Sequence, residues 1–331
     1  MRLLIVRLSS MGDIIHALPL AANARAAGAT VGWLTDRQYG GLLEGNPSLA
    51  RVFLADTRGW RRNPFSPANW RELARLRRSL KEFAPDATVD AQGLWKSAVL
   101  ARLAGAPVVS FSAAARREPS SAVLVSTGVD LAPDAVHVVD QNSSLLAPLG
   151  LPPERTAPDA RYLLGGESPA ADAFLAAQPV PFVLYHPGAA RAEKTWPVEK
   201  FAALASRLAL DPGLSPVISW GPGDEDRAAR LSARIPEARQ IPPLDFRGLA
   251  RVIARASLFV AGDTGPVHLA DALGVPTLAL FGPDAHRRNV PERNGPYRGA
   301  AMSYDQTASV EAVARRALDL VRNADKTNDA R

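Results

Sequence analysis

Apolar runs of strand length, each followed by a segment of helical period, recur along this chain and constrain its fold most. Residues 3–8 form the first run, interrupted only by Arg7, and 31–34, 52–55, 87–89 and 108–111 repeat it. Continuous rather than alternating apolar strands imply burial on both faces, as in parallel sheets covered by helices. Helical segments separate them at 13–27 (closed by Gly28), 69–83 (stopped by Pro85), 94–103 and 136–149. A stretch rich in Pro, Gly and Ala follows Gly150, and the linker is placed within it at 166–180. The alternation then restarts. Strands are expected at 182–185, 216–220, 258–260 and 276–281, and helices at 197–209, 224–234, 245–255, 267–273 and 309–322. The pattern predicts an α/β chain of two Rossmann-like, doubly wound parallel-sheet domains, 1–165 and 181–308, facing across a cleft. The polar tail 323–331 is expected to be disordered.

Composition removes several classes. No apolar run approaches the ~20 residues of a membrane-spanning helix, and the opening run is too brief for a signal peptide. With no Cys there is no disulfide, thiolate metal site or Cys nucleophile, and the chain is expected in the cytoplasm. The net charge of +6 is unevenly shared: residues 1–165 contribute +5 and 166–331 only +1. Between 57 and 81 there are eight basic residues and one acid, Glu72. Such a bias suits an anionic partner. A solvated helix face accounts for most of the cations from Arg71 to Lys81. It accounts less well for Arg58-Gly59-Trp60-Arg61-Arg62, read here as a loop with an aromatic among its cations.

Four strand-to-helix junctions carry residues suited to chemistry. Asp263-Thr264-Gly265-Pro266 follows a buried strand and opens a helix, with Asp263 or Thr264 as N-cap and Pro266 in the first turn. Free N–H groups there form an anion site for which a diphosphate is a common guest, unless the junction is simply capped. Ser9-Ser10-Met11-Gly12-Asp13 lacks both the Gly-x-Gly-x-x-Gly and the Gly-Lys-Ser/Thr signatures. Its Asp13 is either an acid favoured by the helix dipole or a general base. The loop from His186 to Pro197 offers Gly188 for close backbone approach and Lys194 as a point charge for phosphate or a solvated cation. Asp224-Glu225-Asp226 opens a helix, which favours capping acids over a metal site; one of them is also placed to take ribose hydroxyls.

The residues as a set resemble the lipopolysaccharide heptosyltransferase family, and within it the heptosyltransferase I group. The resemblance spans nearly the whole chain. It rests on Ser9-Ser10-Met11-Gly12-Asp13-Ile14-Ile15-His16-Ala17-Leu18-Pro19, on Asp90-Ala91-Gln92-Gly93-Leu94-Trp95-Lys96-Ser97-Ala98 and on Arg117-Glu118-Pro119. Lys194-Thr195-Trp196-Pro197, Trp220-Gly221 with its acids, and Asp263-Thr264-Gly265-Pro266-Val267-His268-Leu269 complete it. It implies a GT-B glycosyltransferase that inverts the anomeric centre and needs neither metal nor cofactor. The implied donor is ADP-L-glycero-β-D-manno-heptose. The implied acceptor is a Kdo residue of Kdo2-lipid A, met at the cytoplasmic face of the inner membrane by a peripherally associated protein; no nucleic acid is involved.

Carried over by position, the resemblance makes Asp13 the catalytic base. Donor contacts fall to Gly188, Ala189, Ala190, Lys194, Glu225 (or Asp224), Leu244, Asp263, Thr264, Gly265 and His268. Acceptor contacts fall to Ser10, Arg61, Arg62, Lys96, Arg116 and Arg117. By analogy with GT-B proteins, helix 309–322 packs back on the first domain. Ala189 and Ala190 replace hydroxyl residues of the heptosyltransferase I pattern, and Arg287-Arg288-Asn289 with Asn294-Gly295-Pro296-Tyr297 looks more like the broader family. The alternatives are therefore a same-family enzyme with another acceptor, such as a second heptose transfer, or with another nucleotide-heptose. A non-catalytic sugar-binding protein is the different class.

Overall fold

The strand-length runs pair in parallel, and the helices between them supply the crossovers. The computed structural model describes residues 1–179, 181–188, 196–210, 213–282, 290–303 and 308–329, and the chain divides into units Met1–Pro158 and Asp159–Arg331. The first unit contains strands β1 (Arg2–Val6), β2 (Thr30–Asp36), β3 (Arg51–Ala55), β4 (Ala87–Asp90), β5 (Val108–Phe111) and β6 (Thr127–Val129). Its helices are α1 (Met11–Ala26), α2 (Gly40–Leu43), α3 (Thr57–Arg62), α4 (Pro67–Phe83), α5 (Trp95–Arg102) and α6 (Val138–Ser143). The second contains β7 (Phe182–His186), β8 (Ser215–Ile218), β9 (Arg239–Gln240), β10 (Leu258–Gly262), β11 (Thr277–Phe281) and β12 (Ala300–Ser303). Its helices are α7 (Pro169–Ala176), α8 (Val198–Leu210), α9 (Glu225–Ser232), α10 (Phe246–Ala254), α11 (Gly265–Ala272), α12 (Pro291–Asn294) and α13 (Val310–Asp329).

Among the described residues each unit holds one six-stranded parallel sheet, in the orders β3-β2-β1-β4-β5-β6 and β12-β11-β10-β7-β8-β9. Counted within its own unit, each sheet runs 3-2-1-4-5-6. The strand order therefore reverses between β1 and β4 in one and between β7 and β10 in the other. Chain connections leave such a pair of strands toward opposite faces, so a crevice opens at their carboxyl ends. Leu4, Val6, Leu34, Phe53, Leu76, Leu80 and Val108 fill one core; Tyr185, Phe201, Leu204, Val260 and Leu278 lie in the other.

Several boundaries differ from those expected. The expected linker 166–180 contains α7, which buries Ala171 and Phe174 and pairs Asp172 with Arg251 at 2.5 Å, and the boundary between the units falls at Pro158. The stretch 57–62 is helical rather than a loop, because Asp56 caps it by accepting the Gly59 N–H at 2.8 Å. Helix α13 puts Val313, Ala314, Ala317 and Val321 into the core of the second unit, where the GT-B analogy had it pack on the first. It also runs to Asp329, through the tail expected to be disordered, because no Gly or Pro interrupts it.

The most consequential correction concerns Arg116. Its side chain and that of Asp90 are both 0% exposed and pair at 2.9 Å. Nε and Nη1 of the same guanidinium donate to Ser121 Oγ at 2.9 Å and Ser110 Oγ at 2.5 Å. Asp90 in turn accepts the N–H groups of Gln92 and Gly93, so the pair fixes the turn between β4 and α5. A guanidinium so enclosed cannot meet an acceptor anion; Arg116 is structural. Replacing it with Ala should lower stability by about 3–5 kcal/mol, because the Asp90 charge is left buried and unpaired. Urea denaturation measures this, and a change below about 1 kcal/mol would contradict the assignment.

Candidate functional site

Asp13 occupies the third position of α1, directly beyond β1 and beside the crevice of the first sheet. One oxygen, Oδ2, accepts from Ser10 N at 3.0 Å and Ser10 Oγ at 2.9 Å. The other, Oδ1, pairs with Arg7 Nη2 at 2.6 Å. Burial pushes the carboxyl up, but the Arg7 charge and the hydrogen bonds from Ser10 and Arg7 outweigh it and hold Asp13 below its usual range. The Asp13 side chain is nevertheless 38% exposed, so a substrate can still reach it.

Arg7 is the residue that the sequence reading passed over. It directly follows β1 and is buried, and its Nη1 donates to Ala91 O beyond β4, so one guanidinium bridges the two strands flanking the crevice and steadies the acid. The signal was present: a cation inside an apolar run must find a partner when the run is buried.

Around this acid lie the other first-unit candidates. Ser9 Oγ accepts from Gln92 Nε2 at 3.3 Å and Lys96 Nζ at 3.5 Å, joining the two turns at the crevice. Burial lowers the pKa of Lys96; Asp36 and Glu118 oppose that, while Arg61 and Arg117 add to it. Arg61, Lys96 and Arg117 thus share one electrostatic field that a bound anion would relieve. Arg62 is exposed in the last turn of α3. Ser10 is engaged by Asp13 in this structure, which makes it a holder of the acid before it is a ligand contact.

The second crevice gathers the other candidates. Thr264 is the N-cap residue of α11, but its hydroxyl makes no capping bond and Oγ1 is buried without a hydrogen-bond partner among the described residues. A buried orphan hydroxyl at a helix start, with Gly265 as the first helical residue, is an arrangement that suits an anion. His268 Nε2 lies 3.6 Å from Asp263 Oδ1, so the acid and the imidazole flank the same helix start.

Across this crevice, His186 ends β7 with Nδ1 3.1 Å from Ser219 Oγ and Nε2 3.6 Å from Asp224 Oδ2. Burial lowers the His186 pKa to about 4, so the ring is neutral at physiological pH. A Cβ on Gly188 would meet the Asp224 carboxyl at 2.2 Å, so any larger residue there would have to displace that side chain. Asp224 faces His186 and Gly188, and its neighbour Glu225 is exposed, with Oε2 accepting Gly223 N at 2.8 Å. Leu244 is half-buried over Gly248, where any Cβ would meet it at 2.9 Å. Ala189, Ala190, Lys194, Arg287 and Arg288 lie outside the described residues.

Asp271 carries no signal in the sequence. From α11 it accepts the N–H groups of Tyr297, Arg298 and Gly299 at 2.6–3.1 Å, holding the segment before β12. Among the described residues no three His, Asp or Glu side chains are grouped as metal ligands, and no helix is long and apolar enough to cross a membrane.

Comparison with known proteins places this geometry. The family model described as glycosyltransferase family 9 (heptosyltransferase) matches residues 73–308. Lipopolysaccharide heptosyltransferase 1 of Pseudomonas aeruginosa is 36% identical over 86% of this chain and 79% of its own length. The Escherichia coli K12 protein of the same name is 32% identical over 86% of this chain and 88% of its own. Among solved structures, the E. coli heptosyltransferase WaaC with ADP superposes with a TM-score of 0.80 at 28% identity, over 97% of this chain and 100% of that one. The fold is thus that of the GT-B glycosyltransferases.

Arg7→Gln should raise the Asp13 titration midpoint, since burial then acts with less opposition. Carbon-detected NMR of the carboxyl measures it, and an unmoved midpoint would contradict the role given to Arg7. For stability the sign follows from the lowered folded-state pKa. The contribution of Asp13 is present above the unfolded value and is lost as pH falls through the folded one.

Proposed function

We propose a reaction for this chain from the premise that it belongs to glycosyltransferase family 9 (heptosyltransferase) and is a glycosyltransferase. It transfers L-glycero-D-manno-heptose from ADP-heptose to a Kdo residue of the lipopolysaccharide inner core, on Kdo2-lipid A, with inversion. The observation that carries this reading is Asp13: an accessible carboxylate held ionised by Arg7 and Ser10 beside a crevice rimmed by Arg61, Lys96 and Arg117. The names of the relatives, and the WaaC structure with an ADP-2-deoxy-2-fluoro heptose bound, support the donor.

In this mechanism a sugar hydroxyl of the acceptor loses its proton to Asp13 as its oxygen attacks the anomeric carbon of the donor. The bond from that carbon to the ADP oxygen breaks on the opposite face. A hydroxyl is a weak nucleophile without a base in the transition state, which is worth ~10²–10⁴ in rate. Because the carboxyl sits below the usual range, Asp13 is fully ionised at neutral pH and acts by position rather than by basicity. Lys194 and the N–H groups at the start of α11 take the charge growing on ADP, so no metal is invoked. Thr264 adds its unused hydroxyl, Asp263 holds heptose hydroxyls, Glu225 takes the ribose and Leu244 lines the adenine pocket. The carboxylates and phosphates of the acceptor meet Arg61, Arg62, Lys96 and Arg117, at the cytoplasmic face of the inner membrane.

Asp13→Ala should cut turnover at least 10²–10⁴-fold while ADP binding, measured by calorimetry, stays unchanged. Wild-type turnover in that variant would overturn the assignment of the base.

A further inference from the structure

Phe65 is 88% exposed and Trp70 is 60% exposed. They occupy the residue before the N-cap of α4 and its fourth helical position, where two apolar side chains ordinarily staple a helix start by packing together. At 88% exposure Phe65 packs on almost nothing, so the staple does not form and another reason is needed for two large aromatics in water. Nor is the turn a frayed end. Ser66 N donates to Asn63 O at 3.2 Å, and Asn69 Nδ2 donates to Gly59 O at 3.2 Å and Asn63 O at 2.7 Å, locking α3, the turn and α4 together. Pro64 and Pro67 stiffen the chain on either side of Phe65.

The surroundings are cationic. Arg58, Arg61 and Arg62 on α3, and Arg71, Arg75 and Arg78 on α4, are exposed. The one acid between 57 and 81, Glu72, is engaged by Arg37. The opposite face of α4 is committed to the core through Leu76 and Leu80. The helix therefore cannot lie in a membrane on an apolar side, and only its start offers apolar surface.

We propose that the Phe65–Trp70 turn is a membrane wedge, two aromatics that insert at the headgroup level of an anionic bilayer while the surrounding arginines bind its phosphates. Aromatic rings favour that depth, and a basic cluster adds attraction that decays within a Debye length. Charge complementarity selects a lipid surface over a protein partner, because the aromatic tip is small and its rim carries one sign only. The wedge rests on the lipid-acceptor reading above for its purpose, since it would hold the crevice of Asp13 at the surface where such an acceptor lies.

The test is sedimentation of the full chain with phosphatidylcholine vesicles, with and without phosphatidylglycerol, and with no sugar acceptor present. Binding should require the anionic lipid and weaken with salt. Phe65→Ser/Trp70→Ser should weaken it by about tenfold or more, with an unchanged melting temperature because both side chains are already in water. Brominated acyl chains should quench fluorescence through Trp70, and Trp70→Phe should lose that quenching yet keep binding. Turnover on a water-soluble, deacylated acceptor should be unaffected in the double variant. Wild type that ignores anionic vesicles, or a double variant that binds as wild type does, overturns the wedge. A wild-type dimer that the double variant dissolves, without lipid binding, would assign the turn to a contact between copies instead. Because no sugar enters the vesicle assay, its failure is separable from failure of the heptosyltransferase reading.

Discussion

The contact between Arg7 and Asp13 governs the first unit. Arg7 leaves β1 buried, reaches Ala91 beyond β4 and pairs with the acid at the start of α1, so three segments meet on one guanidinium. Buried cations are tolerated only when paired and hydrogen-bonded. Here the pairing yields a carboxylate that stays ionised although burial works against it, and that keeps a face open to a substrate. A carboxylate so held is fixed by geometry, and the hydrogen bonds from Ser10 set the direction in which its free lone pairs point.

The second unit solves a different problem with the same topology. Its strand order reverses between β7 and β10, and the turns there present backbone rather than a strong base. Asp224 lies where a side chain on residue 188 would be, so its carboxylate packs directly against the bare Gly188. Thr264 leaves its buried hydroxyl unspent at the start of α11. Unsatisfied polar groups are costly in a folded protein and mark places where a ligand supplies the missing partner. One sheet order thus places an acid at a helix start in one unit and a glycine-bearing helix start in the other, and the proposed reaction assigns the first to proton transfer and the second to the donor.

Continuous apolar runs made the central strands legible, since a strand buried on both faces has no other composition. Asp13, Asp263 and Thr264 were legible because turns after strands and helix starts have recognisable residues. Arg7 was legible as a cation inside a buried apolar run that needs a partner, but Arg116 was not, because outside such a run an arginine looks the same in sequence whether it faces water or a buried acid. Helix α3 was missed since its cap, Asp56, lay just outside the stretch scanned as a loop. The outer strands β6 and β9, of three and two residues, carry too few residues for any period to show. Packing of α13 within the second unit depended on tertiary contacts that no local pattern encodes.

The proposed reaction moves a heptosyl group from a nucleotide donor to a Kdo-bearing acceptor. It is tested most directly by incubating the wild-type protein with ADP-heptose and Kdo2-lipid A and following ADP release together with the anomeric configuration of the product. ADP should be released in step with a heptosyl-Kdo product of inverted configuration. Absence of ADP release with this and every other Kdo-bearing acceptor, or a product of retained configuration, would contradict it.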